Sequence, residues 1–193
     1  MLKKRVDAVA VTGILNIKNM SLTTLRHDLF MTVLNKNGND DPWMTELNAS
    51  SNAMKELPDW IWKWKALQHV QKIDLRRNRL RTLDDSLATL THLRSLLLSR
   101  NQLIDLPLSI STLVQLQELD VSYNALVGIP LAIYCLPRLG RLVLFGNPIP
   151  EKEVLEIQAA TQHLKTRKQT TFKTDSITST LKQSLQHLNI SIN

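Results

Sequence analysis

One spacing constrains this chain more than any other feature: an apolar pattern closing on an asparagine recurs every 23 residues. The strict copies are Val70-x-x-Ile73-x-Leu75-x-x-Asn78-x-Leu80 and Leu93-x-x-Leu96-x-Leu98-x-x-Asn101-x-Leu103. They continue as Leu116-x-x-Leu119-x-Val121-x-x-Asn124-x-Leu126 and Leu139-x-x-Leu142-x-Leu144-x-x-Asn147-x-Ile149. A fixed period of this length marks a repeat architecture, because no unit of that size buries its apolar face without a neighbour to stack on.

Each slot has a physical reason. The alternation at the fourth and sixth slots, as in Leu96 and Leu98, points two side chains inward from a short strand and leaves the residues between them facing out. Successive units repeat one chain direction, so their strands pair in parallel and each connection crosses over the far side. The asparagine at the ninth slot supplies carboxamide donors and an acceptor where the chain turns inward and its backbone groups need partners.

Two looser units lie upstream. Met44-x-x-Leu47-x-Ala49-x-x-Asn52-x-Met54 fits every slot; Thr12-x-x-Leu15-x-Ile17-x-x-Met20-x-Leu22 departs at the first and ninth. The wider gap between them reads as an inserted loop over 35–43, where Asn35-Lys36-Asn37-Gly38-Asn39-Asp40-Asp41-Pro42 collects loop-forming residues. The return half of each unit repeats too. Leu106-Pro107-x-x-Ile110-x-x-Leu113 and Ile129-Pro130-x-x-Ile133-x-x-Leu136 have threefold spacing, which predicts short helical or 3-10 segments, with Asp84 replacing the proline in one unit.

The expected architecture is an α/β solenoid of about six repeats, a curved parallel sheet on the concave side and helical or 3-10 segments on the convex side, with a helical cap at each end. One domain over 1–165 divides into an N-terminal cap helix (1–11), repeats (12–149) and a C-terminal cap helix (150–165). Leu2, Val6 and Val9 line one face of the first helix, which Gly13 ends; Val154, Leu155 and Ile157 suit the second. Residues 166–193 read as a basic polar linker and an amphipathic helix from Asp175 through Leu188, which either docks on the last repeat or engages another protein.

The repeat units over 44–150 resemble the intracellular leucine-rich-repeat family in its 23-residue class, that of plant Ras-group-related and animal Ras-scaffold proteins. The opening Val6-Asp7-Ala8-Val9-Ala10-Val11-Thr12-Gly13 is similar to a start common in that class. The resemblance implies a non-catalytic curved adaptor that binds other proteins. The enlarged first unit, Asp84 and the polar tail depart from it.

Composition agrees with an intracellular setting. Cys135 is the only cysteine, so no intramolecular disulfide staples the chain. The N-terminus lacks a signal-peptide pattern, and no apolar run is long enough to span a membrane. The expected location is the cytoplasm, with the nucleus or an organelle left open, and the chain is expected to be monomeric alone. The formal charge is +7, concentrated over residues 60–101, where nine lysines and arginines face three aspartates. That zone predicts an acidic partner or, as the weaker alternative, nucleic-acid phosphates.

Outward strand residues form the concave face, where partners of solenoids bind. The candidate contact residues are Lys72, Asp74, Arg76, Arg77, Leu97, Arg100, Asp120, Tyr123, Arg141 and Phe145. Arginine beside aromatic and apolar side chains is the composition of interface hot spots. The competing reading pairs the arginines with Asp74 and Asp120 across neighbouring strands. Trp43, Trp60 and Trp62 form a second candidate surface, since Trp60 and Trp62 fall at usually exposed convex positions while Trp64 takes a core slot.

Catalytic chemistry finds little support. The five histidines lie in different units without metal-ligand spacing, no glycine-rich phosphate loop exists, and Cys135 reads as a buried small apolar residue. No cofactor or metal is expected. The reading is a protein-interaction adaptor or scaffold; the alternative is a structural subunit of a large complex, including a ribonucleoprotein, that touches phosphates through the basic third and fourth repeats.

Overall fold

The computed structural model describes residues 4–5, 8–27, 44–150, 152–153 and 189–191. Among these, seven short strands form one parallel sheet in chain order: β1 Ile14–Asn16, β2 Glu46–Asn48, β3 Lys72–Asp74, β4 Ser95–Leu97, β5 Glu118–Asp120, β6 Arg141–Val143 and β7 Asn189–Ser191. The register repeats without slip from β1 to β6: Leu15, Leu47, Ile73, Leu96, Leu119 and Leu142 stand side by side. All six are nearly or fully buried, as are Ile17, Leu75, Leu98, Val121 and Leu144 two residues on. The alternation in the sequence is therefore the alternation across the sheet.

The return segments lie on the other side. Helix α1 spans Val9–Thr12 and helix α2 spans Trp60–Lys63. Four 3-10 turns follow at Lys65–Leu67, Asp85–Thr89, Leu108–Thr112 and Leu131–Cys135. Pro107 and Pro130 each precede a turn with φ near −60°, the angle that proline fixes. Asp84 replaces that constraint with a hydrogen bond: its carboxylate accepts from the Ser86 N–H at 2.7 Å, and hydrogen bonding with the Ser86 side chain, then with its backbone, lowers its pKa below the usual aspartate value. At the N-terminal end, Gly13 closes α1 in the left-handed conformation (φ 67°), its N–H donating to Val9 O at 2.8 Å.

The asparagines work as a ladder. Asn124 Nδ2 donates to Leu98 O of the preceding unit (3.0 Å) and to Val121 O of its own (2.9 Å), while its Oδ1 accepts from Leu103 N–H (3.0 Å). Asn78, Asn101 and Asn147 repeat these three bonds one unit apart. Asn52 extends them to the first unit, where Met20 stands in the asparagine slot: its Oδ1 accepts from both Met20 and Leu22 N–H. Each carboxamide thus satisfies backbone groups of two units at once, which is why the slot tolerates no apolar residue between two repeats.

Two expectations need correction. Residues 189–191 form a strand, parallel to β6 with Ile190 opposite Leu142, where the sequence reading had a tail without sheet structure. The signal was present: Leu185-x-x-Leu188-x-Ile190-x-x-Asn193 repeats the unit template two periods after Leu139. That template would set Leu188 opposite Leu142, and the observed offset of two residues keeps the alternation in phase. Cys135, expected inside, is exposed at the end of its 3-10 turn. The inserted loop over 35–43 and the amphipathic helix to Leu188 lie outside the described residues. Of the C-terminal helix expected over 150–165, Lys152 and Glu153 are described and helical; Glu153 Oε1 accepts from Ile129 N–H at 2.8 Å.

Candidate functional site: a cationic groove at the strand ends

Where each strand ends, the chain makes the same turn. The eighth-slot residue adopts a left-handed conformation in every unit: Asn19, Ser51, Arg77, Arg100 and Tyr123 have φ between 52° and 59°, and Gly146 has 72°. This turn keeps the sheet ladder going after the strand has ended. Ser51 N–H donates to Arg76 O (2.8 Å), Arg77 N–H to Ser99 O (2.9 Å), Arg100 N–H to Ser122 O (2.9 Å) and Tyr123 N–H to Phe145 O (2.8 Å). The left-handed conformation costs a non-glycine residue roughly 1–2 kcal/mol, about what one well-made hydrogen bond returns. Seventh- and eighth-slot side chains therefore project from a rigid, evenly spaced row.

Across the first four units this row encloses a groove of about 740 Å³, lined by Lys18, Asn19, Ser50, Ser51, Arg76, Arg77, Ser99 and Arg100. Four of its eight lining residues are cations and none is acidic. The serines are small, and that leaves the space. A shallower continuation runs past Lys18 and Asn19 to Arg5, whose guanidinium donates to Asn16 O and Lys18 O.

The cations differ in what they already hold. Arg76 makes a two-point pair with Asp74, Nε to Oδ1 at 2.9 Å and Nη2 to Oδ2 at 2.7 Å, and this hydrogen-bonded pairing raises its pKa. Asp74 is buried, and its Oδ1 also accepts from Arg76 N–H, so the pair lies within one strand end rather than across strands. Arg100 lies over the Tyr123 ring at 4.5 Å, a cation–π contact, and the Tyr123 ring meets Phe145 edge-on at 4.8 Å. Among the described residues, no salt bridge reaches Lys18, Arg77 or Arg100.

Arg76, Arg77 and Arg100 come together here as the sequence places them. Other expected contact residues are differently used. Asp74 and Leu97 are buried, at 2% and 8% exposure, because Leu97 is flanked by Asp74 and Asp120 on adjacent strands. Asp120 accepts from the Ser122 hydroxyl and N–H, capping its own strand. Lys72 pairs with Glu46 (3.1 Å), and Arg141 pairs with Glu118, which also accepts from Ser95. These sheet positions answer one another and are not presented as free charges.

The tryptophan surface is corrected. Trp62 is 1% exposed: the turn Asp85–Thr89 of the next unit packs on α2, and Thr89 Oγ donates to Trp62 O at 2.9 Å. Trp60 is half-buried, edge-on to His27 at 5.0 Å and to Trp64. Trp43 lies outside the described residues.

Two features escaped the sequence reading. Lys18 belongs to the groove although it sits two units from Arg76, because the small Ser50 and Ser51 let the groove pass between. On the convex side, Ile104, Leu108, Val127 and Leu131 are 60–75% exposed around a hollow of about 290 Å³. Their signal was the period itself, since Ile104 and Val127, like Leu108 and Leu131, occupy one slot in successive units.

Residues 42–103 match the family model described as leucine rich repeat. The fold is that of the leucine-rich repeats. Among solved structures it is similar to the BIR2 ectodomain of Arabidopsis thaliana, at 24% identity over 70% of this chain and 67% of that one, with TM-score 0.51. It is also similar to a leucine-rich-repeat protein of Leptospira interrogans, at 26% identity over 80% of this chain, with TM-score 0.52; the chain spans 48% of that protein. No curated protein sequence matches it. Among the described residues no helix is long and apolar enough to cross a membrane, and no cluster of three or more metal-binding side chains occurs.

Proposed function

We propose that this chain is a non-catalytic protein-interaction module, an adaptor or scaffold of the 23-residue intracellular leucine-rich-repeat class, that binds an acidic protein surface along its concave side. The observation that carries the reading is the groove at the strand ends: four cations, no lining carboxylate, and a regular backbone that holds Lys18 in the first unit, Arg76 and Arg77 in the third and Arg100 in the fourth. A repeat scaffold offers such a row without spending stability on it, because the ladder of asparagines and apolar slots holds the units together behind it. Cytoplasmic location and a monomeric chain belong to the same proposal.

Affinity purification of tagged full-length chain, followed by reconstitution with the recovered protein, tests it. A directly binding partner should lose at least tenfold in affinity to the double variant Arg77→Glu/Arg100→Glu. Arg138→Glu, on an exposed residue of the convex return, should leave it unchanged. Equal binding by both variants would move the interface off the groove.

A further inference from the structure

We propose that the groove across the first four units receives a phosphorylated segment of the partner protein, with the phosphate seated between Arg77 and Arg100. This rests on the concave side being a protein-binding surface and assigns that surface its ligand chemistry.

The backbone at these two positions does not call for arginine. Ser51 makes the same left-handed turn and the same N–H bond to the next unit as Arg77 and Arg100 do. The turn therefore does not explain arginine at 77 or 100. Neither side chain has a carboxylate partner among the described residues. Their backbones are adjacent rungs of one ladder, since Arg77 N–H donates to the carbonyl of Ser99. Adjacent strands lie about 4.8 Å apart, so the two arginine side chains leave the backbone from neighbouring rungs.

Beside the groove one carboxylate already stands against one guanidinium. Asp74 spends both oxygens on Arg76 alone. A carboxylate brought in by a partner would set one negative charge against two guanidiniums that have no carboxylate of their own. A phosphate monoester carries a charge of about −1.5 to −2 and three acceptor oxygens, enough to bond both forks at once. The remaining lining suits an extended peptide on either side of it. Ser50, Ser51 and Ser99 offer hydroxyls and little bulk, and Lys18 closes the N-terminal end. Four strands span about 15 Å, room for four or five extended residues at roughly 3.3 Å each.

Nucleic acid fits this groove less well. Single strands bind by stacking bases on open aromatic faces. The aromatic beside the groove, Tyr123, has Arg100 over its ring and Phe145 against it. On the sheet beside the groove, Lys72 and Arg141 are already paired with Glu46 and Glu118, so the row of cations does not continue for a phosphate backbone.

The test uses the full chain and two probes. In NMR, inorganic phosphate should shift the Nε–H resonances of Arg77 and Arg100 saturably, while chloride at matched ionic strength should not. In fluorescence anisotropy, a labelled Gly/Ser peptide with one central phosphoserine should bind at least tenfold more tightly than the same peptide with glutamate there, and than a ten-nucleotide oligouridylate. Arg77→Gln/Arg100→Gln should abolish both responses, with melting changed only by the loss of the Arg100–Tyr123 cation–π contact, and Arg94→Gln, at the opposite end of β4, should change neither. Absence of the phosphate shifts overturns the inference, as does equal binding of the glutamate peptide or tighter binding of oligouridylate. If the purified partner still depends on Arg77 and Arg100 but binds equally after phosphatase treatment, the phosphate assignment fails and the protein-binding proposal stands.

Discussion

The first four units and the last two share one backbone and use it in opposite ways. From Asn19 to Arg100 the eighth-slot side chains leave space between them, and the groove is that space. From Tyr123 to Gly146 the same slots are filled: the Tyr123 ring lies against Phe145, under Arg100, and so close to Gly146 that a Cβ there would stand 2.5 Å from the ring. Val143 is buried where β7 extends the sheet beside it. The ladder of asparagines runs through both regions from Asn52 to Asn147, with Met20 in its slot only in the first unit. A repeat fold therefore fixes where side chains start, and the residues in its free slots decide whether they pack on one another or wait for a partner.

The largest test asks whether the shared ladder is equally tight in both regions. Asn124→Ala strands two carbonyls and one N–H in a buried site, and should destabilise by about 3 kcal/mol or more. Asn52 is half-buried beside the open groove, where water reaches the freed groups, so Asn52→Ala should cost about half as much. Urea denaturation of both variants gives the comparison directly. Equal losses would mean that the N-terminal units are packed as tightly as the C-terminal ones.

A middle-sized effect is expected where the filled region is filled. Gly146→Ala adds a Cβ at φ 72° and drives it into Tyr123, for a cost of about 1–3 kcal/mol. The ring must then leave Phe145, which the aromatic proton shifts of both residues would report. Tyr123→Ala removes the ring pair and the cation–π contact and should cost about 1–2 kcal/mol. It also releases Arg100 toward the groove, so phosphate should bind at least as well as before. Loss of phosphate binding in this variant would show that Tyr123 orients Arg100 and that the two regions are one site.

The sheet, its order and its core were legible because the period and the alternation encode them directly: Leu96 and Leu98 are inside for the reason the pattern gives. Local chemistry was legible in part. The cluster of Arg76, Arg77 and Arg100 follows from slot arithmetic, but which arginine is already paired does not. Asp74 and Asp120 occupy the same slot; one holds a guanidinium and the other a serine, and only the residue two positions on decides which. Trp62 was misplaced because α2 turns inward under the next unit, a contact between repeats that a single repeat does not spell out. β7 was missed because its template starts two periods after that of the last recognised unit, with no matching copy between.

The smallest stability effect is the most informative about the groove. Arg77→Gly relieves the left-handed strain of a residue with a Cβ, roughly 1 kcal/mol, and frees the unfolded chain by about 0.5–1 kcal/mol. The two terms oppose each other, and no ion pair among the described residues is lost, so melting should move by no more than about 0.5 kcal/mol. A residue that contributes nothing to folding and carries an uncompensated charge into a groove is retained for what it binds. Should Arg77→Gly destabilise the chain by 2 kcal/mol or more, the arginine is a structural strut. The open region would then be packed in a way that its exposed side chains do not show, and the contrast between the two halves of the concave side would disappear.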